Sequence, residues 1–450
     1  MNGILWNKRI AFSPEFFEQD FMRKLKEIIV VIYKKKRHFS KLRMSIIFLW
    51  FIILWYGEVN IFKQMISRCS WSLWEKWEEG ANPYHVALIG DPQLVDKHTY
   101  NRSFILTTFT NFYTDKYMKR NWKYLNNQLH PESLIFLGDL LDGGRDLEME
   151  SWIKEYKRFD DVFFQPPGVK VISTLPGNHD IGFSDGVTLK RLNRFRAYFG
   201  ESSSLYTLGN HTFVLLDTIS LSNTINTQVS QYTKQLLNDL ENTYDQDFPR
   251  ILLSHVPLFR PANTPCGPQR EKNTSIKLER GYQYQNVILS SISTHVLETV
   301  RPIAVFSGDD HDFCEVKQTI AKYGVTIIER SIKSFSMAMG ISQPGVQLVS
   351  LYNPSLKKTG NQTFQTKTCL LPRQYYIFSL YLITFIVTIS IVCIYQYLFV
   401  EKDLQNLTTR ANKYKNKSHE SLSKTLDRIL LDVINIAIIV FPWYLYLLRY

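Results

Sequence analysis

The chain has 450 residues, 45% of them hydrophobic and 21% charged, with a formal net charge of +12. That length allows one large core, or two small ones, with segments to spare, and the composition excludes an intrinsically disordered chain. The positive charge does not point to a nucleic-acid partner, because it is gathered beside apolar segments. Residues 1–43 hold eleven Lys/Arg, among them Lys34, Lys35, Lys36 and Arg37, against four acids, and a second basic stretch runs over 402–428. Such flanks mark the cytoplasmic ends of membrane spans.

In chain order, a basic cytoplasmic tail (1–43) leads into a transmembrane signal anchor (44–62). Residues 44–57 are uncharged, and the segment reaches Phe62 if Glu58 lies at the membrane interface. It begins too late, and lacks the small-residue cleavage site, for an ordinary signal peptide. Residues 63–83, with Trp71, Trp74 and Trp77, read as a juxtamembrane linker whose aromatics sit at the interface. A domain over 84–355 follows. Apolar runs of strand length at 85–89, 134–137, 170–174, 213–216, 250–253 and 302–306 are separated by amphipathic stretches near 102–128, 146–159, 188–199, 228–245 and 283–300. That alternation predicts a layered α/β domain, with further strands near 315–320 and 346–352 that could pair at its end.

Residues 375–400 carry no charge over 26 positions, enough to span a bilayer. A basic cytoplasmic loop (401–428) and a third apolar segment (429–448), weakened by Asp432 and Pro442, complete the chain. The basic flanks place residues 63–374 in the lumen. Sequons at Asn101, Asn210, Asn273 and Asn361 agree, whereas Asn406 and Asn416 fall in the cytoplasmic loop and should stay unused. An oxidising lumen would allow two disulfides among Cys69, Cys266, Cys314 and Cys369, with three connectivities, Cys393 being inside a span.

Nearly every expected strand runs into a cluster of metal-type ligands: Gly90-Asp91-Pro92-Gln93, Gly138-Asp139, Gly177-Asn178-His179-Asp180, Ser254-His255 and Gly308-Asp309-Asp310-His311-Asp312. The carboxyl ends of strands are where α/β folds build sites. Singly, a Gly-Asp or Gly-Asn-His is as readily a turn or a helix cap. Five in succession, each at a strand end, point to one constellation. The remaining histidines lie outside these clusters and are read as structural or surface residues.

The clusters resemble, in order, the five motifs of the calcineurin-like metallophosphoesterases, with GDLLD (138–142) and GNHD (177–180) matching fully. The resemblance implies a β-sandwich flanked by helices, bracketed here by transmembrane helices. It also implies two divalent metal ions about 3.5 Å apart. Asp139 would bridge them, Asp91 and His311 would complete one shell, and Asn178, His255 and Asp309 the other. His179 would bind no metal and would serve the leaving group, with Asp180 orienting it. The metals would bring a hydroxide near neutrality for in-line attack on phosphorus. Cys266–Cys314 is the favoured pair, since both follow motifs that should converge; free buried thiols are the alternative.

Two departures from the family pattern stand out. Gln93 replaces the His of the first motif and Asp309 the first His of the fifth. Oxygen-rich shells favour Mn²⁺ or Mg²⁺ over Zn²⁺, and Gln93 would be a weak ligand or lie just outside the shell. The added carboxylate calls for a compensating cation, for which Arg145 is the first candidate, as a phosphate clamp or else a surface ion pair; Arg260 and Arg270 come after it. Asp142 occupies the position where purple acid phosphatases place a tyrosine.

GDPQLVD, FLGDLLDGGR, LPGNHDIG, SHVPLFRP with CGPQRE, GYQYQN and FSGDDHDFCE together resemble a membrane-bound branch of the family, in its fungal cell-division-control type. These Mn²⁺ phosphodiesterases remove ethanolamine phosphate from a mannose of glycosylphosphatidylinositol (GPI) anchors in the endoplasmic reticulum or early Golgi. A phosphoesterase or pyrophosphatase acting on another lumenal lipid or nucleotide-sugar is the alternative enzyme. A degenerate, non-catalytic scaffold is the alternative outside enzymes, disfavoured because a scaffold has no use for His179.

Overall fold

The computed structural model describes residues 41–97, 99, 103–242, 248–281, 283–354, 361–408 and 418–449. The tail 1–40 and the sequons at Asn101 and Asn416 lie outside them. Two compact units are formed: Met1–Ile53 with Ile383–Leu445, and Leu54–Leu382 with Tyr446–Tyr450.

The second unit contains all the strands. In chain order they are β1 (Tyr84–Ile89), β2 (Ser133–Phe136), β3 (Lys170–Ile172), β4 (Ser204–Leu208), β5 (His211–Leu215), β6 (Arg250–Ser254), β7 (Arg280–Gly281), β8 (Tyr284–Gln285), β9 (Ala304–Ser307), β10 (Cys314–Ile320), β11 (Val325–Ser331), β12 (Gly345–Leu351) and β13 (Phe364–Leu370). One sheet has the order β13-β12-β1-β2-β3 and the other β10-β11-β9-β6-β5-β4; β7 and β8 form a small hairpin. In the first sheet β1, β2 and β3 run parallel out to one edge, with β12 antiparallel to β1 and to β13 on the other side; the second has a parallel centre of β5, β6, β9 and β11 between antiparallel margins, β4 and β10. Central strands such as β2 and β6 are apolar and buried along their whole length because both faces are covered. At the margin, β10 alternates buried and exposed residues with period two.

The sheets face each other across a core of Val86, Leu88, Ile135, Phe213, Ile251, Phe306 and Val349. Opposite-facing residues of the same strands, Ala87, Phe136, Val214, Leu252 and Val305, pack under helices. These include Phe104–Leu129 and Met149–Val162, and, over the other sheet, Thr227–Asn242 and Ser290–Val300. The expected two-sheet sandwich with helical flanks is present. The strands expected near 315–320 and 346–352 do not pair with each other. As β10 and β12 they belong to different sheets, β10 beside β11 and β12 between β1 and β13. β13 lies past residue 355 and continues its sheet through seven paired positions.

The stretch before β1 packs onto the domain. Trp71 donates to the Leu129 carbonyl at 2.7 Å and stacks on His85, Trp77 donates to Ser350 Oγ at 2.7 Å, and Cys69 is disulfide-bonded to Cys369. These indoles satisfy their N–H groups within the protein. Glu58 is buried. Its carboxylate pairs with Arg120 at 2.5 Å and accepts from Tyr381 Oη at 2.6 Å. A π-helical turn, Tyr56–Asn60, carries it, the local widening that a helix uses to re-aim a side chain.

Among the described residues, three helices are long and apolar enough to cross a membrane: Lys41–Ser67, Gln374–Leu398 and Thr425–Leu447. Within the first unit Asp432 is not a free charge in an apolar helix. Arg43 pairs with it at 3.0 Å and Gln396 donates to it, the partnering that an ionisable group in such a helix requires.

Candidate metal centre

Strand ends deliver the site. β1 stops at Ile89 and the chain turns through Asp91 and Gln93; β2 stops at Phe136 and turns through Gly138 and Asp139; β6 ends into His255; β9 ends into Asp309 and His311. Asp91, Gln93, Asp139, Asp309 and His311 all have positive φ, between 36° and 66°. Non-glycine residues enter this left-handed region at a cost, and such strain collects at functional sites. The motif glycines explain how closely the segments approach. A Cβ on Gly177 would lie 2.0 Å from Asp139 Oδ1, and one on Gly138 would lie 2.6 Å from the His255 ring. Only glycine leaves room for those side chains.

Asp91, Asp139 and His255 converge, each fully buried, with ligating atoms within 4.8 Å of one another. His255 Nε2 lies 3.4 Å from Asp139 Oδ1, 3.6 Å from Asp309 Oδ1 and 3.3 Å from Asn178 Oδ1. Its other nitrogen, Nδ1, donates to the Leu137 carbonyl at 2.7 Å. That bond fixes the tautomer and leaves the Nε2 lone pair aimed at the cluster, the arrangement that orients a metal-ligating histidine.

The polar accounting also fits a cation. Among the described residues nothing donates to Asp91 Oδ2 or to Gln93 Oε1, although both atoms are buried. Orphaned acceptors at this depth are costly, and a divalent ion satisfies them. Burial raises Asp91 to about 8, opposed by His255 and reinforced by Asp139. Burial likewise lifts Asp309 to about 7, against His255 and with Asp139. At His255 burial works against the imidazolium, but Asp139, Asp91 and Asp309 outweigh it and hold the ring well above its usual range. So many carboxylates cannot all ionise here without added positive charge, which resident cations would supply.

The sequence profile of the calcineurin-like phosphoesterases matches residues 84–313. Cell division control protein 1 of Saccharomyces cerevisiae is 44% identical over 345 residues, covering 74% of this chain and 70% of its own length. A metallophosphoesterase 1 homolog of Drosophila melanogaster is 25% identical over 336 residues (71% and 84%), and metallophosphoesterase 1 of Danio rerio 24% identical over 361 residues (74% and 87%). The chain belongs to the calcineurin-like phosphoesterase family. It is therefore a metal-dependent phosphoesterase.

Around the phosphoesterase cluster the structure distributes the remaining motif residues unevenly. Asn178 opens a short helix, Asn178–Ile181, with its amide oxygen toward His255 and its Nδ2 donating to the Gln283 carbonyl at 3.2 Å. His179 is half-buried at the rim; its backbone N–H donates to Asp139 Oδ1 at 2.9 Å. Asp180 does not contact the His179 ring. Its carboxylate accepts from the amides of Leu140, Leu141 and Gly177, so it ties the second and third motifs together through backbone.

The His179 ring is instead held by Asp142, through a 2.8 Å bond to its carbonyl and a 3.3 Å approach to its carboxylate. Asp142 in turn accepts from Gln93 Nε2 at 2.7 Å and from Thr99 Oγ1. Burial opposes a charged His179, yet Asp139 and then Asp142 raise it to about 9. Asp142 was legible as the last letter of GDLLD, and Gln283 lies within GYQYQN, although no role at the site was read for it; Thr99 carried no signal, since it reaches the site through a turn.

His311 stands at the edge of the cluster, half-buried. Burial lowers it to about 4, opposed by the charge of Asp139. Arg145 reaches the site's edge: Nη1 donates to the Asn178 carbonyl at 3.0 Å and Nε to Asp146. Arg260 and Arg270 do not face the cluster as substrate clamps. Arg260 is buried against Glu329 at 2.7 Å, and Arg270 pairs with Asp310. Both brace the CGPQRE loop, together with the expected disulfide Cys266–Cys314 and the buried chain Asp312–Lys333–Glu271.

Proposed function

We propose that the protein is a dinuclear phosphodiesterase that removes ethanolamine phosphate from a mannose of a GPI anchor, in the endoplasmic reticulum or early Golgi membrane, with its catalytic domain lumenal. The observation that carries this reading is a buried carboxylate–histidine centre in a chain that also has three membrane-length helices. Asp91, Asp139, Asn178, His255, Asp309 and His311 are the proposed ligands, with Gln93, whose buried Oε1 receives no hydrogen bond among the described residues, as a weak ligand or just outside the shell. Two divalent ions, Mn²⁺ by preference for this oxygen-rich set, would supply a nucleophile at neutral pH and polarise the phosphoryl oxygens.

The chain's own residues do the rest. His179, kept charged by Asp139 and Asp142, can hand a proton to the departing sugar oxygen. Arg145, anchored through Nη1 to Asn178, brings a guanidinium to the rim where a phosphate enters. Three carboxylates and the hydroxide together balance two dications, so the centre would be near neutral, which suits the single negative charge of a phosphodiester better than a dianionic monoester. Support for the substrate comes from the motif variants shared with the GPI-remodelling branch and from the yeast relative. Two disulfides, the positive flanks of the apolar segments and the exposed sequon at Asn273 support a lumenal domain.

Mass spectrometry of GPI glycans incubated with the detergent-solubilised protein and Mn²⁺ tests the proposal, with Asp139→Ala as control. Loss of one ethanolamine phosphate with the unmodified protein alone is expected. No loss from a protein with its metals bound would transfer the reading to another lumenal diester.

A further inference from the structure

Helix Phe104–Leu129 has two halves. Its first eleven residues, Phe104 to Thr114, contain no Asp, Glu, Lys or Arg, whereas Asp115, Lys116, Lys119, Arg120 and Lys123 follow at once. The uncharged half extends about 16 Å. It is also the exposed half: Phe104 is 85% exposed, Ile105 65%, Leu106 56% and Phe109 59%. Its threonines hide their hydroxyls against the helix itself, Thr108 donating to the Phe104 carbonyl, Thr110 to Leu106 and Thr114 to Thr110. A surface meant for water has no reason to be built this way.

The neighbouring element gives this surface its occupant. Tyr117 Oη donates to the Pro372 carbonyl at 2.8 Å, and one turn earlier the Tyr113 ring meets Phe378 edge-on at 5.8 Å. Pro372 lies just before the membrane-length helix Gln374–Leu398, and Phe378 lies in its second turn. Moving from Tyr117 to Phe104 therefore follows that helix inward from its start. Leu106, Phe109 and Tyr113 line a groove of about 300 Å³ with Tyr375, Phe378 and Met337. If Gln374–Leu398 stands in the bilayer, the uncharged half of the other helix lies at the level of its first turns. Lys116, Lys119 and Lys123 then fall on the headgroup side.

We infer that Phe104–Thr114 is a membrane-embedded segment of the catalytic unit, its apolar face and the adjoining groove being filled by acyl chains of the surrounding leaflet. The first amides of the helix have no intrahelical partners, which sets the depth at the boundary of headgroups and acyl chains. The groove is also joined to the metal centre through one short loop. Ser334 Oγ donates to the Asp91 carbonyl and Phe335 N–H to that of Gly90, and three residues on, the same loop supplies Met337 and Ala338 to the groove wall. The embedded segment thus holds the centre close to the lipid surface. The inference stands on the membrane-length helix alone and does not require the GPI reading.

The test is nitroxide accessibility in the full chain, reconstituted in phosphatidylcholine nanodiscs. A single label is placed by Phe109→Cys in a Cys393→Ser background, with Ile105→Cys as the second site should the first fail to fold. Labels at Leu382, in the apolar helix, and Val325, exposed on β11, are the references. Access to oxygen with a nickel-chelate accessibility matching Leu382 and several-fold below Val325 is expected. Nickel accessibility equal to that of Val325 would overturn the inference. So would exclusion of both oxygen and nickel, because it would mean that protein, such as a second copy, covers the face.

Discussion

At the residue scale the centre depends on side chains that never touch a phosphate. Asp142 holds the His179 ring through two contacts and is itself held by Gln93 and Thr99. Asp142→Asn should lower kcat about 10- to 100-fold while metal content, read by elemental analysis, stays unchanged. Because the anion raises the pKa of His179, its loss should also move the alkaline limb of the rate profile to lower pH. Gln93 shows why a departure from a family pattern resists reading in sequence: its amide nitrogen donates to Asp142 while its oxygen is buried with no donor among the described residues. His211 carries a different pH effect. It is buried, its Nδ1–H donates to the Gly209 carbonyl and its Nε2 accepts from Thr363; burial lowers it to about 4 despite the Gly209 bond. Unfolded, it titrates near 6.5. Between these values the unfolded chain binds the extra proton, so the stability of the neutral ring is complete above about 6.5 and is lost as pH falls toward 4. The total is about 3 kcal/mol. The thermal midpoint of His211→Gln should vary less between pH 7 and 4.5 than that of the unmodified protein.

At the scale of elements, the segments that flank the strands carry as much design as the strands. The π-helical turn at Tyr56–Asn60 directs Glu58 onto Arg120 of helix Phe104–Leu129, with Tyr381 completing the group. A buried charge left alone is far worse than no charge at all. Arg120→Ala should therefore destabilise the protein by about 3–5 kcal/mol in denaturant unfolding, and Glu58→Leu with Arg120→Leu should recover most of that loss. In the loops, Asp180 illustrates a division of labour inside one motif. Its neighbours Asn178 and His179 face the cluster, while its own carboxylate receives three backbone amides and locks two strand ends in register. GNHD alone does not distinguish those tasks, because all three residues are equally able to bind a metal.

For the whole molecule, the buried carboxylates make stability and metal content one property. Chelation should abolish activity and lower the thermal midpoint, since a cation that binds only the folded state stabilises it by mass action. Readdition of Mn²⁺ should restore both more fully than Zn²⁺, if the oxygen-rich donor set decides the preference. Differential scanning fluorimetry with parallel activity measurements reads both effects. The disulfide Cys69–Cys369 joins residues 300 positions apart, so the stretch before β1 and the edge strand β13 behave as one piece with the sandwich.

Much was legible in the sequence because parallel strands buried on both faces are largely continuous apolar runs, and because most of the site-bearing ones run into a glycine followed by a ligand type, β6 running directly into His255. The five clusters, the layered α/β class and the membrane-length helices follow from such local patterns, whereas the two-sheet sandwich was implied by the family resemblance and the Cys266–Cys314 pair by the expected convergence of its motifs. The strands β4, β11 and β13 were not read from the sequence; β4 alternates exposed and partly buried positions, β11 opens on two exposed residues before alternating buried and half-buried ones, and β13 holds polar residues over most of its length. Tertiary structure alone decided which of several equivalent acids, amides and arginines meet. Convergence in space placed Asp142 rather than Asp180 on His179, turned Arg260 and Arg270 into braces, and buried Glu58 against Arg120. Those outcomes depend on contacts between residues 37 to 69 positions apart, which no periodicity along the chain encodes.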